Sequence, residues 1–119
     1  MKYQQSEEDY LEKILMLQEK SQHVHSIDIA NEMGFSKPSV SIAMHKLEDK
    51  GYINMDRTGV ITLTDEGYKR ATAVYERHKV LSTFLMQIGV SKDTALEDAC
   101  EIEHFISEET FQAIKSQLK

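Results

Sequence analysis

The sequence predicts a mainly α protein: an N-terminal winged helix-turn-helix joined by a long helix to a second, all-α domain. Three observations carry this reading. Apolar residues recur at three- and four-residue spacing through most of the chain. Two short helical patterns meet at Met33-Gly34-Phe35, a tight glycine-containing turn. Two β-prone runs, Tyr52-Ile53-Asn54-Met55 and Val60-Ile61-Thr62-Leu63, flank Asp56-Arg57-Thr58-Gly59 and so form a hairpin with a charged tip.

In chain order, Tyr10, Leu11, Ile14, Leu15 and Leu17 predict a first helix from about Gln5 to Glu19, with Ser6 as its N-cap and Glu7, Glu8 and Asp9 in its first turn. Ser21 to His25 is a polar connector, and its His23-Val24-His25 reads as a solvated pair. Ser26 caps a short helix over Ile27 to Glu32, with Ile27, Ile29 and Ala30 facing the core. Gly34 suits the left-handed position that closes it. Ser36 caps the next helix, which admits Pro38 in its first turn and stops at Gly51. Here Val40, Met44 and Leu47 go inward, leaving Ser36, Lys37, Ser39, Ile42, Ala43, His45 and Lys46 outside.

Thr64 opens a long helix to about Ile88 whose stripe is Tyr68, Ala71, Tyr75, His78, Leu81, Leu85 and Ile88. An element of some 25 residues spans about 37 Å, enough to serve two domains, here residues 1–72 and 73–119. Gly89 ends it, Ser91 caps a helix carrying Cys100, Glu103 and His104, and Ser107 caps a last one reaching Leu118. Phe84, Leu85, Leu96, Phe105, Phe111, Ile114 and Leu118 are more large apolar groups than these helices can cover alone. The second domain is therefore expected to be a dimerisation domain making a homodimer.

Composition narrows the function. The chain has no run of about 18 apolar residues and no signal-peptide pattern, so no membrane association and a cytoplasmic location are expected. Its one cysteine cannot close an internal disulfide, which leaves Cys100 either a ligand or a small buried apolar residue. The net charge of −6 excludes a nonspecific nucleic-acid coat protein. Between Gly34 and Thr62, however, four basic residues (Lys37, Lys46, Lys50, Arg57) meet three acidic ones. The short, polar or methyl-bearing start of the second helix of the pair is what a major groove admits, and Arg57 on the hairpin tip would reach a phosphate or the minor groove. Double-stranded DNA is the expected partner, contacted by Ser36, Lys37, Pro38, Ser39, Ile42, Lys46 and Arg57. A merely solvated face is the alternative, which exposed Ile42 and Pro38 oppose.

A second chemistry is written near the C-terminus. On a helix, Cys100, Glu103 and His104 stand at i, i+3 and i+4, so a thiol, a carboxylate and an imidazole share one face at a metal-ligand spacing. Asp9 and Glu12, one turn apart, and His78 are candidates to complete the shell. Plainer roles stand beside this: acids in a first helical turn complement the helix dipole, which suffices for Glu7 and Glu8, and a histidine on an apolar face is often a hydrogen-bonded core residue. No nucleophile or general-base motif stands outside these residues, so no catalytic activity is expected.

Taken together, Glu8-Asp9-Tyr10-Leu11-Glu12-Lys13-Ile14, Arg77-His78 and Cys100-Glu101-Ile102-Glu103-His104 resemble, in order and spacing, the metal-ligand motifs of the diphtheria toxin repressor and manganese transport regulator family. The resemblance covers essentially the whole chain. It implies a homodimeric, metal-activated winged-helix repressor of manganese or iron uptake genes, acting on a palindromic operator. A divalent cation would be held between the two domains by Asp9, Glu12, His78, Cys100, Glu103 and His104, while the helix from Ser36, with Pro38 and Ser39, reads DNA. Asp9 resembles the manganese branch, where iron-responsive members carry Met, and Cys100 resembles the iron branch, where manganese sensors carry Glu. Mn or Fe is the expected metal, with Co and Zn as further candidates. The ancillary iron-type site draws on a Glu where this chain has Ser82, and the chain stops at Lys119 without an SH3-like domain, so that second site is expected to be absent or altered. The alternative is a metal-independent winged-helix regulator whose polar cluster is a structural network.

Overall fold

The computed structural model describes the backbone of residues 2–118 and the side chains of residues 7–118. Eight elements follow in order: α1 Lys2–Lys20, α2 Ser26–Met33, α3 Lys37–Asp49, β1 Ile53–Met55, β2 Ile61–Leu63, α4 Asp65–Gln87, α5 Lys92–Ile102 and α6 Glu108–Gln117. The mainly α winged-helix architecture expected from the sequence is present. The chain divides into two compact units, residues 1–72 and 73–119, and α4 supplies residues to both.

In the first unit α1, α2 and α3 pack with the hairpin around Leu11, Ile14, Ile29, Val40, Met44, Leu47, Ile53 and Ile61, all at most 1% exposed. Each such side chain contributes roughly 1.5–3 kcal/mol by leaving water. The sheet is antiparallel, with Ile53 opposite Leu63, Asn54 opposite Thr62 and Met55 opposite Ile61. Gly34 takes φ 72° and closes α2, which lets the chain reverse into α3 within three residues. Ser36 caps α3, its hydroxyl accepting from Ser39 N at 3.3 Å, and Pro38 sits in the first turn. Gly67 is required where α4 begins, because a Cβ there would lie 1.9 Å from the Tyr52 carbonyl oxygen.

Several local expectations are corrected. α1 already begins at Lys2, so Ser6 is not its N-cap; the side chain of Ser6 lies outside the described residues. The N-cap of α2 is His25, one residue before Ser26, because the Asp28 carboxylate accepts the His25 amide at 2.9 Å. The connector before it is not wholly irregular: Val24 is buried and forms an antiparallel bridge to Ile61, whose amide donates to Val24 O at 2.7 Å. Ile27 is 37% exposed, so Ile29 and Ala30 carry the inner face of α2. On α4 the buried residues are Gly67, Ala71, Val74, Leu81 and Ser82, while Tyr68 and Ile88 are 54% and 63% exposed. At the start of α4 the glycine faces the hairpin in place of Tyr68, and Ile88 lies past the last helical residue.

In the second unit the end of α4 packs with α5 and α6 around Val74, Leu81, Ala95, Ala99 and Phe111. Ser107 caps α6 by accepting Thr110 N at 3.1 Å, whereas Ser91 occupies the N-cap of α5 without a side-chain bond. α5 stops at Ile102, earlier than the sequence implied. Glu103 keeps helical dihedrals as the C-cap, and the amides of Phe105 and Ile106 turn back onto Ile102 O. His104 is therefore in the turn between α5 and α6 and not on the helix with Cys100. Phe111, counted in the expected surplus of apolar surface, is 2% exposed within one protomer, while Leu96 and Phe105 remain 37% and 52% exposed.

Candidate metal centre and nucleic-acid interface

The outer face of α3 is placed as the sequence requires. Ser36, Lys37, Pro38, Ser39, Ile42 and Lys46 are all exposed, Ile42 to 58%, while Val40, Met44 and Leu47 anchor the opposite side. The hydroxyls of Ser36 and Ser39 are 2.9 Å apart and hydrogen bonded, so the two serines at the helix start are held as a pair. A cleft of about 170 Å³ opens beside this face, with Glu7 and Tyr10 from α1 and Ser39, Ile42 and Lys46 from α3. Tyr10 was legible only as a core residue. Its ring meets Phe35 edge-on at 6.2 Å, and burial followed by the charge of Asp9 pushes its hydroxyl above the ordinary tyrosine range.

Arg57 stands exposed at the hairpin tip. The tip is preformed by Asp56, whose carboxylate accepts from Thr58 Oγ1 at 2.7 Å, Thr58 N at 2.8 Å and Val60 N at 3.0 Å. The hydroxyl of Thr58 and the amide of Val60 hold the Asp56 carboxyl below its usual range, ahead of the opposing effect of desolvation. Of the four cations in this region, Lys50 pairs with Glu7 and is offset, whereas Lys37, Lys46 and Arg57 are exposed. Arg70, near the start of α4, ties the same unit together by donating to Tyr52 OH at 2.7 Å and facing Glu7 and Glu8 at 3.6 Å each.

The candidate metal ligands separate by unit. In the first, Asp9 and Glu12 lie one turn apart on α1, Asp9 half-buried and Glu12 only 4% exposed. In the second, His78 Nδ1 meets Glu103 Oε1 at 3.1 Å, with the Glu103 side chain wholly buried. This contact orients the imidazole against a carboxylate, a usual setting of a metal-binding histidine. His104 is half-buried in the following turn, and Cys100 is exposed on α5, which removes the buried apolar alternative for the thiol. Oxygen plus imidazole donors are a set that Mn, Fe, Co or Zn accepts. The sequence reading missed Arg77 as an individual. It donates to Glu103 O at 3.3 Å, Ile106 O at 2.8 Å and Glu108 Oε1 at 2.9 Å, and its only sequence signal is adjacency to His78.

Comparison with known proteins follows the same division. Residues 2–59 match the model for the iron dependent repressor N-terminal DNA binding domain, and residues 64–119 match that for the iron dependent repressor metal binding and dimerisation domain. The chain is similar to an uncharacterised HTH-type transcriptional regulator of Methanocaldococcus jannaschii, 34% identical over 113 residues that cover 93% of this chain and 90% of that protein. It is also similar to the transcriptional regulator MntR of Escherichia coli, 36% identical over 108 residues covering 91% of this chain and 70% of that protein. Among solved structures it resembles a manganese-dependent transcriptional repressor in complex with manganese, with a TM-score of 0.86 and 33% identity over 93% of this chain. That match covers 51% of the other chain, so the present chain spans about half its length. Among the described residues, no helix is long and apolar enough to cross a membrane.

Proposed function

Because the chain belongs to the iron-dependent repressor family and carries that family's DNA-binding domain and its metal-binding and dimerisation domain in order, we propose that it is a homodimeric, metal-activated regulator that occupies a palindromic operator. Its ligands would be Asp9, Glu12, His78, Cys100, Glu103 and His104, drawn from both units. Its targets would be genes for manganese or iron uptake. The observation that carries the metal half of this reading is the His78–Glu103 pair, a half-buried imidazole oriented by a buried carboxylate, on an element shared by both units.

On the DNA side, Pro38, Ser39 and Ile42 offer short polar and methyl-bearing surface to base edges, while Lys37, Lys46 and Arg57 face phosphates. In a dimer two such faces meet successive major grooves when they stand about 34 Å apart. When bound, a divalent cation would supply positive charge to the carboxylate donors. The donor residues determine regulation by preferring the DNA-competent arrangement: a preference of about 100-fold, roughly 2.7 kcal/mol, changes operator occupancy substantially.

The test is operator binding by fluorescence anisotropy, on a duplex selected from a randomised pool, with Mn, Fe, Co, Zn or a chelator. At least one ion should tighten specific binding tenfold or more. Equal affinity in chelator and in every metal would replace this reading with a metal-independent winged-helix regulator.

A further inference from the structure

Arg77 and His78 are consecutive on α4, and both reach Glu103. His78 engages the carboxylate, whereas Arg77 Nη1 reaches the backbone carbonyl of the same residue at 3.3 Å and that of Ile106 at 2.8 Å. Its other nitrogen, Nη2, donates to Glu108 Oε1 at 2.9 Å, and the guanidinium lies 5.3 Å from the centre of the Phe111 ring. These contacts fall where the backbone needs them. α5 ends at Ile102, and the last carbonyls of a helix have no partner within it. A guanidinium satisfies two carbonyls of this turn at once, adds charge of the favourable sign at a helix C-terminus, and is stacked in place by an aromatic ring.

Resting on the reading of His78, Glu103 and His104 as ligands, we infer that Arg77 is a positioning residue for the metal centre. It fixes the α5–α6 turn so that the Glu103 carboxylate and His104 imidazole present their donor atoms. Glu103 is then gripped from two adjacent residues of α4, by its backbone through Arg77 and by its side chain through His78. Removing the backbone grip leaves the residue types intact and lets the turn relax. Losses of 10- to 100-fold in metal affinity are typical when a group that orients a ligand is removed. Glu108 is the lesser anchor, since its side chain is 68% exposed and a solvated ion pair is worth little.

The experiment is Co²⁺ titration of the full chain, read by the visible absorption of the bound ion and by competition with a chelator, with far-UV circular dichroism as the check on folding. Arg77→Met should weaken Co²⁺ binding 10- to 100-fold and alter the band intensities at unchanged helicity. Arg77→Lys, which cannot hold both carbonyls, should fall between that variant and the wild type, and Glu108→Gln should lose less than threefold. Wild-type affinity and spectrum in Arg77→Met, beside their loss in His78→Ala, would overturn the role of Arg77 and leave the ligand assignment standing. If Arg77→Met does not fold, an unchanged Arg77→Lys overturns it equally. A wild-type chain that takes up no Co²⁺ overturns the ligand assignment and this inference together.

Discussion

Gly67→Ala sets two well-known effects against each other. In the middle of a helix the exchange ordinarily stabilises by about 1 kcal/mol, since glycine is the more costly residue to order. Here the new methyl group would stand 1.9 Å from Tyr52 O, 2.9 Å from its carbonyl carbon and 3.2 Å from its Cα. All three are backbone atoms, so no side chain can swing away. Either the start of α4 or the approach to β1 must move, and Tyr52 O is also the acceptor for Thr64 N at 3.0 Å while Tyr52 OH holds Arg70. Overpacking of this kind costs about 1–3 kcal/mol, and a contact this short belongs at the upper end. The net expectation is a loss of about 1–2 kcal/mol, a fall in Tm of roughly 4–10 °C for a chain of this size. Thermal and urea denaturation followed by circular dichroism measure it. A variant that melts at or above the wild-type temperature would show that α4 does not approach the hairpin as closely as described, and helix propensity would have decided the outcome.

Three further outcomes are expected. Lys46→Ala and Arg57→Ala should each weaken binding to all duplexes and flatten the logarithmic salt dependence by about one unit, whereas substitutions of Pro38 or Ser39 should shift preference among bases; uniform effects of all four on specific and nonspecific DNA would misplace the reading face. The Asp56 carboxyl is depressed in the folded protein, so what it contributes to the hairpin tip is present above the ordinary aspartate range near about 3.9 and lost only as pH falls through the lower folded value. Amide shifts of Thr58 and Val60 in an NMR titration should hold constant to below that range, and a midpoint at the ordinary value would contradict the bonding described. Cys100→Glu should move the response toward Mn relative to Fe and Co with the fold and dimer unchanged, since the thiol is exposed and a soft ligand is exchanged for a hard one. Unaltered relative potencies of Mn, Fe and Co would remove Cys100 from the ligand set.

The architecture was legible where local chemistry and burial agree. Ser36, Pro38 and Gly34 mark the start of α3 and the turn before it independently of packing, and Val40, Met44 and Leu47 repeat at the spacing of a buried face. Reading failed where a tertiary partner decides. Nothing in Ser21-Gln22-His23-Val24-His25 announces a strand, because the bridge from Val24 depends on Ile61, far along the chain. On α4 the apolar stripe counted Tyr68 inward, although Gly67 owns the close approach and a bulkier ring is turned to solvent. Periodicity assigns large apolar residues to the core by default and cannot see that the space has been filled by a backbone.

The site shows the same division more sharply. The spacing of Cys100, Glu103 and His104 suggested one helical face, yet the three differ in setting: Cys100 is exposed on α5, Glu103 is buried at its end, and His104 lies in the turn. What ends the helix there is not a glycine or a proline, so the sequence carried no stop signal; the carbonyls of Glu103 and Ile106 are instead taken by Arg77, some 26 and 29 positions earlier. Glu103 keeps helical dihedrals and so stays one turn on from Cys100, whereas His104 has left the helix and follows the turn that Arg77 holds. The helical spacing therefore carries over to Glu103 and not to His104. Cys100 differs from both in being exposed. As a proposed soft ligand, the thiol would be the donor whose contribution depends most on which ion is offered, and metal selectivity should be more sensitive to Cys100 than metal binding itself.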